Sequence, residues 1–178
     1  MPVWGDPDAS LVVVGLAPGL QGANRTGRPF TGDFAGDLLF QTLIRAGLAE
    51  GRYDARPDDG MQLRGALIVN AVRCVPPQNK PVGAEINTCR QFLAPALTQA
   101  NVRVLLALGR IAHDSVLTTL GARKADFPFA HNARHVFGDG RVLYDSYHCS
   151  RYNTNTKRLT ESMFEDVVFR AAKEATQE

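Results

Sequence analysis

At 178 residues, 44% hydrophobic and 21% charged, the chain is long enough for one enclosed core and too apolar to be a disordered segment. Its 20 basic and 18 acidic side chains leave a net charge of +2, which neither requires nor excludes a nucleic-acid partner. No apolar run nears the roughly 20 residues of a membrane span, and Met1-Pro2-Val3-Trp4-Gly5-Asp6 lacks the basic-then-apolar pattern of a secretory signal. The expectation is a cytoplasmic protein forming one domain over residues 1–178, with no membrane and no obligate protein partner.

In chain order, Leu11-Val12-Val13-Val14 is a β-branched run halted by Gly15 and reads as a fully buried strand. Leu39, Leu43 and Ala46 then stack at helical spacing, with Gly47 placed to end the helix. Ala66-Leu67-Ile68-Val69 reads as a second strand, and Ile86, Cys89, Leu93 and Leu97 as the stripe of a second helix. Val102 to Leu108 reads as a third strand. A helix beginning near Arg110 follows, with Ile111, Ser115 and Thr119 on one face. His135-Val136-Phe137 and Val142-Leu143-Tyr144 are further strand candidates around the turn Gly138-Asp139-Gly140. Leu159, Met163, Val167 and Ala171 recur every fourth residue in an amphipathic C-terminal helix.

Strands alternating with helices predict an α/β sheet covered by helices. In such sheets ligands bind beyond the carboxyl ends of the strands. The polar or glycine-rich segments 15–22, 70–73 and 146–153 each follow a strand, so three loops are expected to converge on one rim. The first is neither a Walker loop nor a dinucleotide fingerprint, because its glycines are wrongly spaced and no Gly-Lys-Ser/Thr follows. On its residues alone it is an anion or carbonyl cradle, or a long turn. Two stretches, Leu16 to Gly32 and between Asp145 and Glu161, contain no acid. They carry Arg25 and Arg28, and Arg151, Lys157 and Arg158, respectively; they read as a basic rim for phosphates or as two solvated loops. Three cysteines, an odd number, argue against a disulfide framework.

The run Gly15-Leu16-Ala17-Pro18, continued by Gly22-Ala23-Asn24-Arg25-Thr26-Gly27-Arg28-Pro29-Phe30-Thr31-Gly32-Asp33, closely resembles the first motif of the family 5 uracil-DNA glycosylases. The segments Val69 to Pro81, the helix bearing Cys89, and Ser146-Tyr147-His148-Cys149-Ser150-Arg151 with Asn153-Thr154 match further segments of that family in the same order. The resemblance runs from about Gly5 to the C-terminal helix. It implies a three-layer α/β/α sandwich around a mainly parallel sheet. It also implies a DNA-repair enzyme that flips uracil, and with it hypoxanthine or xanthine, out of DNA and hydrolyses the N-glycosidic bond.

The resemblance also assigns roles. Phe30 would lie under the flipped base, the alternative being a core phenylalanine. Asn70, a polar residue ending a buried strand, would read the base edge through its amide, or would open an Asx turn. His148 would donate to the uracil O2 as negative charge grows there, helped by backbone N–H groups around Ala17 and Gly19; the alternative is a surface or core histidine. Leu16 and Ala17 stand where other branches carry a water-positioning side chain, so Asp33 is expected to orient water or stabilise the sugar cation, or else to cap a helix. Arg28, Arg151, Tyr152, Asn153 and Thr154 are expected on DNA. Cys149 replaces the proline that usually follows the motif histidine, which is expected to loosen His148.

Relatives in families 4 and 5 generally hold a 4Fe–4S cluster on four cysteines. Cys74 and Cys89 match two of them; the other two precede the first strand in relatives and are absent here, so an intact cluster is not expected in this chain. The partner expected is DNA containing deaminated bases. Two rival readings stay open: a DNA-binding relative without catalytic power, and an α/β domain that binds a free base or nucleotide.

Overall fold

The computed structural model describes residues 1–177. Its elements run β1 (Trp4–Gly5), β2 (Leu11–Gly15), α1 (Ala23–Thr26), α2 (Phe34–Arg45), β3 (Ala49–Glu50), β4 (Gln62–Leu63), β5 (Ala66–Asn70), α3 (Gly83–Leu97), β6 (Val104–Leu108), α4 (Arg110–Thr119), β7 (Arg134–Val136), β8 (Val142–Ser146), α5 (Arg151–Asn155) and α6 (Glu161–Thr176). The main sheet has the order β1-β5-β2-β6-β8-β7. Its four inner strands are parallel and its two short edge strands antiparallel.

Alternation along the central strand builds the two outer layers. Leu11 and Val13 face α2 and α6, packing with Phe40, Leu43, Phe164 and Val168. Val12 and Val14 face the other way, toward Leu93 and Leu97 of α3 and Val116 and Leu117 of α4. A strand covered on both faces needs no polar residue, which is why Leu-Val-Val-Val is unbroken. The sandwich has three layers, as the resemblance implied.

Several boundaries differ from the sequence expectation. Val102 is buried, but its N–H bonds to Gln99 in a turn, and the strand starts at Val104. On α4 the buried residues are Ala112, His113, Ser115, Val116 and Leu117, whereas Ile111 is exposed and Thr119 half-buried, so of the Ile111–Ser115–Thr119 row only Ser115 is buried. Gly47 does follow α2 with φ +74, a conformation glycine adopts freely. Strand β8 continues two residues past Tyr144, through Asp145 and Ser146, both fully buried. Polar residues hide a strand from pattern reading; here they are buried because each finds partners.

The register sets the site. Gly15 pairs with Asn70 at the carboxyl ends of β2 and β5, and Leu108 pairs with Ser146 at the ends of β6 and β8. Four parallel strands therefore stop at one rim, and the loops that follow them share it.

Candidate active site

The glycine loop after β2 is built around one carboxylate. Asp33 occupies the N-cap position of α2 in extended conformation, yet its side chain makes no capping bond there. It turns back to accept the N–H groups of Gly19 at 3.4 Å and Ala23 at 3.2 Å. A Cβ on Gly19 would stand 2.0 Å from the Asp33 Oδ1, and one on Gly22 would stand 2.1 Å away. Those glycines are there because the loop wraps the carboxylate too closely for any side chain. Of the two expectations for Asp33, the structure removes side-chain capping of α2 and leaves a carboxylate held at the loop's centre.

Phe30 has φ +60, a left-handed conformation that costs a non-glycine residue about 1–3 kcal/mol and persists only where the surroundings impose it. Two glycines make room. A Cβ on Gly36 would meet the Phe30 carbonyl oxygen at 2.2 Å, and one on Gly15 would meet both Phe30 Cζ at 2.6 Å and Asn70 Oδ1 at 2.4 Å. Phe30 and Asn70 thus crowd the same point at the end of β2. Asn70 is 3% exposed, and its Oδ1 has no hydrogen-bond partner among the described residues. A buried, unmade acceptor costs about 1–3 kcal/mol, and this one remains open to a donor from outside the protein.

Ala17, Gly19, Phe30, Asp33 and His148 line one cavity of about 370 Å³ together with Leu16, Ala35 and Ser150. Asn70 stands behind it, against Gly15 and the Phe30 ring. The rings of Phe30 and His148 lie 6.2 Å apart between centroids and 25° from parallel. Burial pushes the His148 imidazole down to about 4, so at neutral pH it is uncharged and offers one N–H donor and one acceptor. The five residues expected around the base, and Asp33 expected on the sugar side, therefore come together at one rim.

The loop carrying His148 is held without the proline. Asn153 Nδ2 donates to the His148 carbonyl at 2.8 Å, and the Tyr147 N–H donates to His131 Nδ1 at 3.1 Å. Ser150 caps α5 by accepting the Asn153 N–H. Cys149 itself is fully buried, its thiol donating to the Ala35 carbonyl at 3.6 Å.

The residues expected on DNA divide. Arg151 and Tyr152 are exposed, Arg151 lying over the Phe34 ring at 5.0 Å. Asn153 is spent on the His148 carbonyl, and the Thr154 hydroxyl donates to the Ser150 and Arg151 carbonyls within its own turn. Arg28 is a correction. It is 4% exposed, forms a bidentate pair with Asp59 at 2.7 and 2.8 Å, and lies near the Trp4, Phe40 and Tyr53 rings. A guanidinium sealed on all sides reaches no phosphate; it pins the glycine loop to the 54–61 segment instead. The basic rim loses that member.

Cys74 is exposed and Cys89 buried; the Cys89 sulfur accepts the N–H of Arg73, which brings the helix cysteine beside the turn of Cys74. A four-iron cluster needs four thiolates. Cys149 faces Ala35 on another side, so among the described residues two thiols, those of Cys74 and Cys89, share this corner.

One feature escaped sequence reading. His113 Nδ1 lies 2.7 Å from Asp145 Oδ1, His135 Nε2 lies 3.0 Å from Asp145 Oδ2, and His113 Nε2 lies 2.9 Å from the Phe127 carbonyl. These three side chains are the His/Asp group close enough to share a metal ion, but each already has a hydrogen-bonding partner. They tie the 127–130 segment to the end of β8. The signal was present in the sequence: Asp145, like Asn70, is a polar residue directly after an apolar strand run.

Comparison with known proteins agrees with this geometry. The sequence profile described as "Uracil DNA glycosylase superfamily" matches residues 2–171. The chain is 45% identical to the type-5 uracil-DNA glycosylase of Thermus thermophilus over 96% of its own length and 78% of the relative's. It is 42% identical to the type-5 enzyme of Pyrobaculum aerophilum, over 98% and 76%. A type-4 uracil-DNA glycosylase of Sulfurisphaera tokodaii is 27% identical over 94% and 72%. With a near-complete family match and relatives this similar along most of both chains, the protein belongs to the type-5 family of the uracil-DNA glycosylase superfamily.

Proposed function

We propose that this protein excises uracil from DNA by hydrolysing the bond between the base and its deoxyribose. The observation that carries this reading is the unpaired Asn70 Oδ1, buried beside a cavity lined by Phe30, Asp33 and His148. An asparagine amide presents a donor and an acceptor side by side, which matches the O4 and N3–H edge of uracil.

Flipping costs a few kcal/mol of unstacking. Stacking on Phe30 returns about 1–3 kcal/mol, and burial of the Asn70 pair adds selectivity. As the glycosidic bond breaks, the electron pair moves onto the base and charge grows at O2. His148, uncharged, donates its N–H there, and the N–H groups of the glycine loop near Ala17 add to the same field. Asp33, fixed by Gly19 and Ala23, faces the sugar side, where it orients the incoming water and balances the cationic sugar. Leu16 and Ala17 contribute no polar side chain, so that work falls to Asp33.

Hypoxanthine and xanthine present the same N–H and C=O edge as uracil, and we propose them as further substrates. Arg151 and Tyr152 are proposed to brace the duplex where the base has left. A cytoplasmic location is proposed too, supported by three unpaired thiols; no helix among the described residues is long and apolar enough to cross a membrane. The test is incubation with duplexes carrying uracil, hypoxanthine or xanthine, followed by alkali cleavage at abasic sites. Strand breaks at uracil are expected. Salt-sensitive binding without breaks would overturn the catalytic reading in favour of a DNA-binding relative.

A further inference from the structure

A second cavity, of about 460 Å³, is also lined by His148 and is larger than the one just described. Leu16 and His148 line both, so the two share a wall. The second is lined further by Arg110, Ile111, Phe129, Tyr147, Asn153 and Arg158, and no acidic residue contributes to it.

Its cations rest on aromatic rings. Arg110 lies over the Phe129 ring at 5.4 Å, and Arg158 lies over the Tyr147 ring at 4.6 Å. Both arginines are exposed, and neither has a carboxylate partner among the described residues. A guanidinium resting on an aromatic face keeps its N–H groups free for an anion. The aromatic wall is fixed from behind: His113 meets Phe129 edge to face at 5.5 Å, and the same histidine's Nε2 reaches the Phe127 carbonyl at 2.9 Å.

We propose that this cavity receives the nucleotide next to the extruded one on the same DNA strand. Its phosphate would be held by Arg110 and Arg158 and its base would rest on Phe129 and Tyr147. The inference builds on the proposed action on DNA. The shared wall supplies the first reason, because a nucleotide entering the first cavity brings its covalent neighbour to Leu16 and His148. Volume supplies the second: a phosphate alone needs neither a larger space than the base cavity nor two aromatic rings. The expected consequence is that the enzyme senses the identity and presence of a flanking base, beyond charge.

The test uses uracil-containing oligonucleotides in which the nucleotide on either side of the uridine is replaced in turn by a baseless sugar spacer. Binding is read by fluorescence anisotropy, so the result does not depend on whether uracil is released, and uracil release is measured separately. Removing the base on one side is expected to weaken binding about tenfold in the unmodified protein. It should weaken Phe129→Leu no further, that variant keeping bulk while losing the aromatic face. Arg158→Ala is expected to lower the salt dependence of binding by about one phosphate contact. Equal losses in Phe129→Leu and the unmodified protein would overturn the proposal. So would a salt effect of Arg158→Ala with no effect of base removal, since the cavity would then hold a phosphate alone. Absence of uracil release with the anisotropy pattern intact would sink the catalytic reading while leaving this one standing.

Discussion

The Asp33 carboxylate lies so close to Gly19 that a methyl group at that glycine would sit 2.0 Å from its Oδ1. Glycine loop and carboxylate are therefore one unit, and disturbing either disturbs both. Asp33→Asn is expected to slow uracil release more than tenfold with little change in melting temperature, because the amide oxygen still accepts an N–H while the charge is gone. Gly22→Ala, whose Cβ would also press on the Asp33 backbone N at 2.5 Å, is expected to cost about 1–3 kcal/mol of stability and to slow the reaction as well. A rate for Asp33→Asn equal to the unmodified protein's, with a large fall in stability, would return Asp33 to a structural role.

Asn70 separates stability from recognition. Its Oδ1 is already unpaired, so Asn70→Ala removes an orphan along with some packing, and thermal unfolding should show a change within about 1 kcal/mol. The kcat/KM for uracil should fall about 10–100-fold, because two hydrogen bonds to the base are lost. A variant that unfolds severely would show that the amide is bound within the protein after all.

Burial pushes the His148 imidazole down to about 4, so it is uncharged near neutral pH, and a neutral donor suffices at O2. His148→Ala is expected to slow uracil release by about 10²–10³. In the unmodified protein this histidine should impose no step on the rate between pH 8 and about pH 5; a titration centred near 6.5 that vanishes in His148→Ala would refute the assignment. The stability effect has a definite sign. The unfolded chain takes up a proton near 6.5 and the folded chain only near 4. Stability linked to this group is therefore complete above 6.5 and declines as pH falls from there toward 4.

The pair Arg28–Asp59 is a structural joint, and its removal should register in unfolding rather than in DNA contact. Asp59→Asn is expected to cost about 3–5 kcal/mol, since it leaves a guanidinium buried without its counter-charge. The Arg28 guanidinium holds the Asp59 carboxyl well below the ordinary carboxylate range. Its stabilising contribution is thus present above about pH 3.9 and lost as pH falls below that. Chemical denaturation at pH 7 and pH 3 checks both. An Arg28→Ala variant that unfolds normally but loses salt-dependent DNA affinity would reverse the assignment.

The three thiols should differ in reactivity. Burial raises the Cys149 thiol to about 12, and a protonated, enclosed thiol does not alkylate. One cysteine, the exposed Cys74, is expected to react promptly with a thiol reagent in the native protein, and all three after denaturation. Rapid labelling of Cys149, identified by mass spectrometry, would mean that the His148 loop opens.

The strands, most of the helices and the family itself were legible along the chain, because a buried parallel strand has to be continuously apolar and a helix on a sheet has to repeat its apolar face. Residues 11–14 and 66–69 could adopt few other roles. The same logic made Asn70 visible, as a polar residue where the pattern demanded an apolar one, and Asp145 carried that signal unread. What the chain order did not disclose was which polar groups satisfy one another. Arg28 and Asp59 are 31 positions apart, and only folding turns a nominal surface arginine into an enclosed one. His113, His135 and Asp145 likewise come from three elements. Asp33 occupies a cap position without capping, because the glycine loop offers its carboxylate two N–H groups. Apolar periodicity is a local property and is written in the sequence; the pairing of charges and hydrogen-bond donors across distant segments depends on distances that exist only after the sheet has brought four strand ends to one rim.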